Sequence, residues 1–112
     1  MAVFRLYTGD DGHSHIEDQA PSSHPALSSE QATDHIVFRE LEAGAFMDWH
    51  NAPRRQYVIL LAGQMEIGLN DGTRRQFGPG DAVLASDLTG SGHTTKAAGA
   101  DAALVAVVPL AE

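Results

Sequence analysis

Three side chains in this 112-residue sequence have the type and placement to do chemistry together: the imidazoles of His50 and His93 and the amide of Gln56. Imidazole is the side chain best suited to moving protons near neutral pH. In an extended segment, residues two apart share a face. His50, Ala52, Gln56, Val58 and Leu60 share one parity, interrupted only at Pro53. A histidine and a glutamine on the face of Val58 and Leu60 would point inward. Buried polar groups there need partners, whether protein groups, water, a ligand or a metal.

Arg54 stands between them, and its guanidinium fork could hold an anionic substrate or steady an oxyanion. The plainer alternative is a rim salt bridge. His13-Ser14-His15, followed by Glu17 at the same parity, forms a second polar constellation near the N-terminus. In an extended arm these histidines could reach the pocket, lining it for substrate or donating to a metal from their own or a neighbouring subunit. As ligands, the plainer reading of solvated arm residues is preferred. His24 and His35 have no constellation around them. Trp49 and Tyr57 are expected on an outer face or in a subunit interface. Gly78-Pro79-Gly80 lacks the lysine and helix of a phosphate loop, and Gly90-Ser91-Gly92 lacks the strand-to-helix elbow of a nucleophile motif.

These residues sit in a chain that reads as all-β. Val3 to Tyr7 is a strand candidate, and Gly9 to Gly12 is a turn by composition. Gln19 to Thr33, with two prolines and four serines, reads as a loop or arm. A weak capping-box pattern suggests a helical turn over Ser28 to Ala32. From His35 onward short strands follow one another, set off by Gly and Pro. Met65, Ile67 and Leu69 alternate cleanly before the tight-turn sequence Asn70-Asp71-Gly72. The alanine-rich tail could pass for helix, but Leu104 to Val108 argues for strand. Many short strands between Gly and Pro turns indicate a barrel or sandwich. The expected organisation is an N-terminal strand and arm over 1–34 packed on a barrel over 35–112. If parity holds, the pocket walls are Val58, Leu60, Met65, Ile67 and Leu69, which suits a modest, partly apolar organic molecule.

Composition narrows the function. With no cysteine there is no disulfide, thiolate nucleophile or iron–sulfur centre. A net charge of −8 and the lack of a basic stripe make nucleic acid an improbable partner. No nucleotide-cofactor motif is present. No apolar stretch approaches the roughly 20 residues that span a bilayer, and the first residues do not read as a secretory signal. The expectation is a cytoplasmic protein with no membrane partner.

The spacing Gly44, five residues, His50-x-Ala52, three residues, Gln56, six residues, Gly63 resembles the first motif of the cupin superfamily. Gly72, Gly78-Pro79-Gly80-Asp81 and His93 resemble its second. Asp11 to His15 and Gly92 to Thr95 are also similar to segments of a subgroup of small bacterial one-domain cupins. The resemblance spans about Ile36 to Pro109 and implies a double-stranded β-helix, or jelly-roll, barrel and a homodimer. It also implies a divalent metal, Zn, Fe, Mn or Ni, held by three histidines and a glutamate. Here His50 and His93 match, but the second histidine is Ala52 and the glutamate is Gln56. The expected ligands are therefore His50, Gln56 and His93, with an arm histidine as a further source. The leading expectation is a metal-dependent small-molecule enzyme with His50, Arg54 and His93 at the reaction and His13, His15, Val58 and Met65 around the substrate. The second is a metal-free lyase, isomerase or cyclase with a histidine base and Arg54. The third is a non-enzymatic ligand-binding domain.

Overall fold

The computed structural model describes residues 2–112. Ten strands follow in chain order: β1 (Val3–Thr8), β2 (Ser14–Gln19), β3 (Val37–Leu41), β4 (Phe46–His50), β5 (Gln56–Ala62), β6 (Met65–Gly68), β7 (Arg74–Phe77), β8 (Ala82–Ser86), β9 (His93–Ala97) and β10 (Ala103–Pro109). They form a six-stranded sheet, β2-β1-β8-β5-β10-β3, and a four-stranded sheet, β4-β9-β6-β7. Every pairing is antiparallel except β1 with β8. The two sheets enclose one core, the arrangement expected of an all-β jelly roll.

Alternation decides which side chains enter it. Phe4 and Leu6 of β1, Leu60 of β5, Met65 and Ile67 of β6, Phe77 of β7, Val83 of β8 and Val105 of β10 are buried together. Phe4 and Phe77 meet edge to face with ring centroids 5.4 Å apart, joining the two sheets. The β6–β7 hairpin closes at Asn70-Asp71-Gly72. The Thr73 amide donates to Asp71 Oδ1 at 2.8 Å, and Gly72 takes φ +90°, a conformation that needs glycine.

The N-terminal region departs from the expected arm. β1 and β2 form an antiparallel hairpin, Thr8 opposite Ser14, and β1 adds to the edge of β8. Residues 3–19 are thus two strands of the larger sheet, and no boundary falls between them and the rest. The reason is the period-two burial of Phe4 and Leu6, which fills the core from β1. The remaining loop carries one short 3-10 turn, Pro25–Ser28, rather than a helical turn over Ser28 to Ala32. Pro25 pre-sets the backbone at the turn's start, and no side chain caps it.

Candidate functional site

The bulged pairing of β4 with β9 sets His50 directly opposite His93. Their imidazole centroids lie 4.4 Å apart with the rings tilted by 56°. Both line a cavity of about 610 Å³, a volume typical of small-molecule sites. Gln56, Val58, Met65, Val105 and Val107 also line it, together with Ala52 and Thr95. The Gln56 amide makes no hydrogen bond to another described residue and so is available to a ligand. Along the inner face of β5, Gln56 and Val58 belong to the cavity, while Leu60 passes into the solid core. Leu60, Ile67 and Leu69, expected as walls, are core residues instead. The cavity occupies one end of the barrel, and packed side chains fill the rest.

Each histidine is held through Nδ1. His93 is buried, and its Nδ1 lies 2.6 Å from Oδ2 of Asp87. Asp87 is 0% exposed, yet well provided with donors. Ser14 donates its hydroxyl to Oδ2 at 2.7 Å, and the Ala52 amide donates to Oδ1 at 3.3 Å. An ionised carboxylate only accepts, so the proton between Asp87 and His93 resides on Nδ1. In the neutral imidazole that arrangement leaves Nε2 of His93 with its lone pair. His50 Nδ1 is 2.7 Å from the Asp48 carbonyl, which also only accepts, so His50 likewise offers Nε2.

The Asp87 loop is secured from two sides. The Ser91 amide donates to the Gly12 carbonyl at 2.9 Å, and Thr8 Oγ1 donates to the Thr89 carbonyl at 2.9 Å. From the opposite side the Asn51 amide donates to the Thr89 carbonyl at 2.9 Å. Gly92, with φ +73°, brings its backbone against the His50 carbonyl so closely that a Cβ would collide with it. Sequence reasoning missed both Asp87 and Ser14. The available signal was an aspartate directly after an apolar strand and six residues before a histidine, at the two ends of the loop that crosses from one sheet to the other.

Three sequence expectations are corrected. His13 and His15 do not line the cavity. Ser14 turns inward to Asp87, so period two sends its neighbours the other way. His13 Nδ1 contacts Ser91 Oγ at 2.9 Å, and His15 pairs with Asp11 at 3.0 Å beside Tyr7 in a separate shallow depression. The His13 amide, and then His15, hold the Asp11 carboxyl below its usual range. Arg54 also lies outside the cavity. It pairs with Asp34 at 3.3 Å and donates to the Leu110 carbonyl at 3.3 Å. The histidine His35, and then Arg54, lower the Asp34 carboxyl. This is the rim salt bridge, not an anion holder within reach of the histidines.

Elsewhere, Trp49 is exposed on β4, and the Tyr57 hydroxyl donates to Gln31 at 2.9 Å. Among the described residues no helix is long and apolar enough to cross a membrane.

The resemblance implies a divalent metal, and the donors present do not suit one. His50, Gln56 and His93 do share one cavity, but they supply two nitrogens and a neutral amide. Ala52 is buried where a third imidazole would stand. Among the described residues no three His, Cys, Asp or Glu side chains gather closely enough to hold an ion. Asp87, the nearest carboxylate to His93, is already engaged by three donors. This set does not fit a tightly held divalent ion.

Neither a protein-family model nor a curated protein matches the chain. Solved structures do. The polyketide cyclase RemF from Streptomyces resistomycificus aligns over 97% of this chain and 75% of its own, with TM-score 0.58 and 15% identity. A sugar phosphate isomerase from a cupin superfamily, from Silicibacter pomeroyi, aligns over 91% of this chain and 61% of its own, with TM-score 0.55 and 18% identity. A cupin domain from Bordetella pertussis aligns over 75% of this chain and 98% of its own, with TM-score 0.53 and 11% identity. At these identities the likeness is one of fold. With the two sheets described above, it makes this chain a small protein of the cupin-type jelly-roll fold.

Proposed function

We infer that the protein is a metal-independent small-molecule enzyme that moves protons on a partly apolar carbonyl compound, in the manner of an isomerase, lyase or cyclase. The observation that carries this reading is the buried sequence Ser14–Asp87–His93, in which the carboxylate holds the imidazole by Nδ1. In this reading His93 Nε2 removes a proton from carbon next to the carbonyl. Asp87 balances the imidazolium that forms, without taking the proton itself. The Gln56 amide, free of other partners, donates to the oxygen on which negative charge develops. His50, once protonated on Nε2, donates to the same substrate or returns a proton at a second atom. The cyclase and isomerase among the fold neighbours accord with this class of chemistry but carry no substrate over to this chain.

The test uses untagged protein dialysed against a strong chelator and then placed in D₂O with a panel of partly apolar ketones and keto acids. Exchange of α-protons for deuterium is followed by NMR. The expected result is exchange that survives the chelator and is lost in His93→Gln. Absence of exchange throughout, or equal exchange by the variant, refutes the reading. Exchange that appears only after loading one divalent ion per chain restores the metal-dependent alternative. Saturable binding with no exchange favours the ligand-binding domain.

The homodimer expected from sequence has a suitable surface. Ile36, Phe38, Phe46, Met47 and Trp49 are exposed on and beside the edge strands β3 and β4. Sedimentation velocity of wild type against Phe38→Ser/Trp49→Ser tests it, with dissociation of the variant as the expected outcome.

A further inference from the structure

β3 is an edge strand whose inner face reads Val37, Arg39, Leu41. These residues pair with Val107, Val105 and Ala103 of β10, all buried. Val37 and Leu41 pack on the core as the alternation requires. Arg39, midway between them, puts a guanidinium where a third apolar residue would complete the stripe. It is exposed to solvent at the mouth of the cavity and forms part of its lining.

Arg39 is exceptional among the arginines. Arg5 pairs with Glu17, Arg54 with Asp34, Arg55 with Glu112, Arg74 with Glu66 and Arg75 with Asp18. Among the described residues Arg39 has no carboxylate within 4.0 Å, in a chain with 15 acidic residues. Its neighbour Glu40 also borders the mouth but makes no ion pair with it. An unpaired guanidinium at the exposed mouth of a cavity has its hydrogen-bonding fork free for an anion.

The geometry points to Arg39 as the anchor for a carboxylate of the cavity's ligand, which makes the ligand class an organic acid with an apolar body. The inference builds on the proposed function by naming its substrate class. The carboxylate sits at the mouth on the guanidinium fork. The body runs inward along Val58, Met65, Val105 and Val107 toward the histidines. A phosphate ester suits the site poorly. It carries up to two charges against a single arginine, beside the Glu40 carboxylate and in an acidic protein. Arg39 thus takes the role that sequence reasoning gave to Arg54.

Calorimetric titration with 3-phenylpropionate and octanoate, each against its primary amide, tests the anchor without any turnover. Wild type is expected to prefer acid over amide by about tenfold or more, the scale of a charge-assisted hydrogen bond. Arg39→Gln should lose that preference while keeping its amide affinity and its melting temperature, and Arg39→Lys should fall between. Arg54→Gln should bind as wild type. His93→Gln should also keep its preference for acid, so failure of the proton-transfer reading leaves this result intact. Equal binding of acid and amide by wild type, no acid binding at millimolar concentration, or an unchanged preference in Arg39→Gln overturns the proposal. If Arg39→Gln instead self-associates with its preference unaltered, the inward charge guards an open sheet edge, which also overturns it.

Discussion

Replacing Asp87 by asparagine changes a single atom, and the surroundings allow that atom no comfortable position. Oδ2 accepts from Ser14 and His93, and Oδ1 accepts from the Ala52 amide. If the new NH₂ group takes the Oδ2 position, it faces the Ser14 hydroxyl and the Nδ1 proton of His93. The histidine then yields by moving its proton to Nε2, which removes the base from the cavity. If the NH₂ takes the Oδ1 position, it faces the Ala52 N–H, and a buried donor loses its acceptor. The second arrangement costs about 1–3 kcal/mol of stability. The first preserves more of the packing and reverses the tautomer, a change worth about 10²–10⁴ in rate where an imidazole is the base. Long-range ¹H–¹⁵N correlation spectra distinguish the two tautomers without any substrate. Wild-type His93 is expected to carry its proton on Nδ1 and Asp87→Asn on Nε2, with deuterium exchange at substrate carbon falling at least about a hundredfold. A wild-type His93 protonated on Nε2 would refute the reasoning, because it requires Asp87 to be the donor in its contact with Nδ1.

Asp81 accepts from the Gly78 amide at 2.9 Å and the Ala2 amide at 2.7 Å, and the Gly78 contact above all holds its carboxyl below the usual range. A lowered folded-state value stabilises the fold above the unfolded-state value and ceases to do so as pH falls through the folded one. Asp81→Asn should therefore cost about 1–2 kcal/mol in urea melts at pH 7, with the difference closing below about pH 4. Gly92→Ala forces a Cβ onto the His50 carbonyl at a left-handed backbone position. It should lose at least about 1–2 kcal/mol by thermal melting and shift the His50 and His93 ring resonances. The double variant Ala52→His/Gln56→Glu should bind about one divalent ion per chain, measured by competition with a chromogenic chelator, where wild type binds none tightly.

Period-two alternation made much of this molecule legible beforehand. It set Met65 and Ile67 inside, and brought Gln56 and Val58 to one face with His50. Turn chemistry at Asn70-Asp71-Gly72 and Gly78-Pro79-Gly80 marked the strand ends. What stayed hidden depends on which strands become neighbours. The pairing of β1 with β8 crosses nearly eighty residues, and no local pattern announces it. Without it Ser14 has no visible connection to Asp87, and His13 and His15 look as well placed as Ser14. Arg54 and Arg39 were separable only through their partners, since Asp34 lies 20 residues from Arg54 in the chain. Arg39 did carry a local signal, a charge on the apolar parity of Val37 and Leu41.

The parallel seam between the first strand and the eighth has a temporal side. While the protein is being made, Ser14 leaves the ribosome long before Asp87, and the hairpin that carries it has no edge to join until β8 has emerged. Long-range pairing of this kind slows folding, and the same docking brings Ser14 to Asp87, the carboxylate that holds His93. Chains in which this seam has not formed lack Phe4 and Leu6 in the core as well as Ser14 on Asp87. One seam thus ties the completion of the core to the completion of the buried Ser14–Asp87–His93 contact.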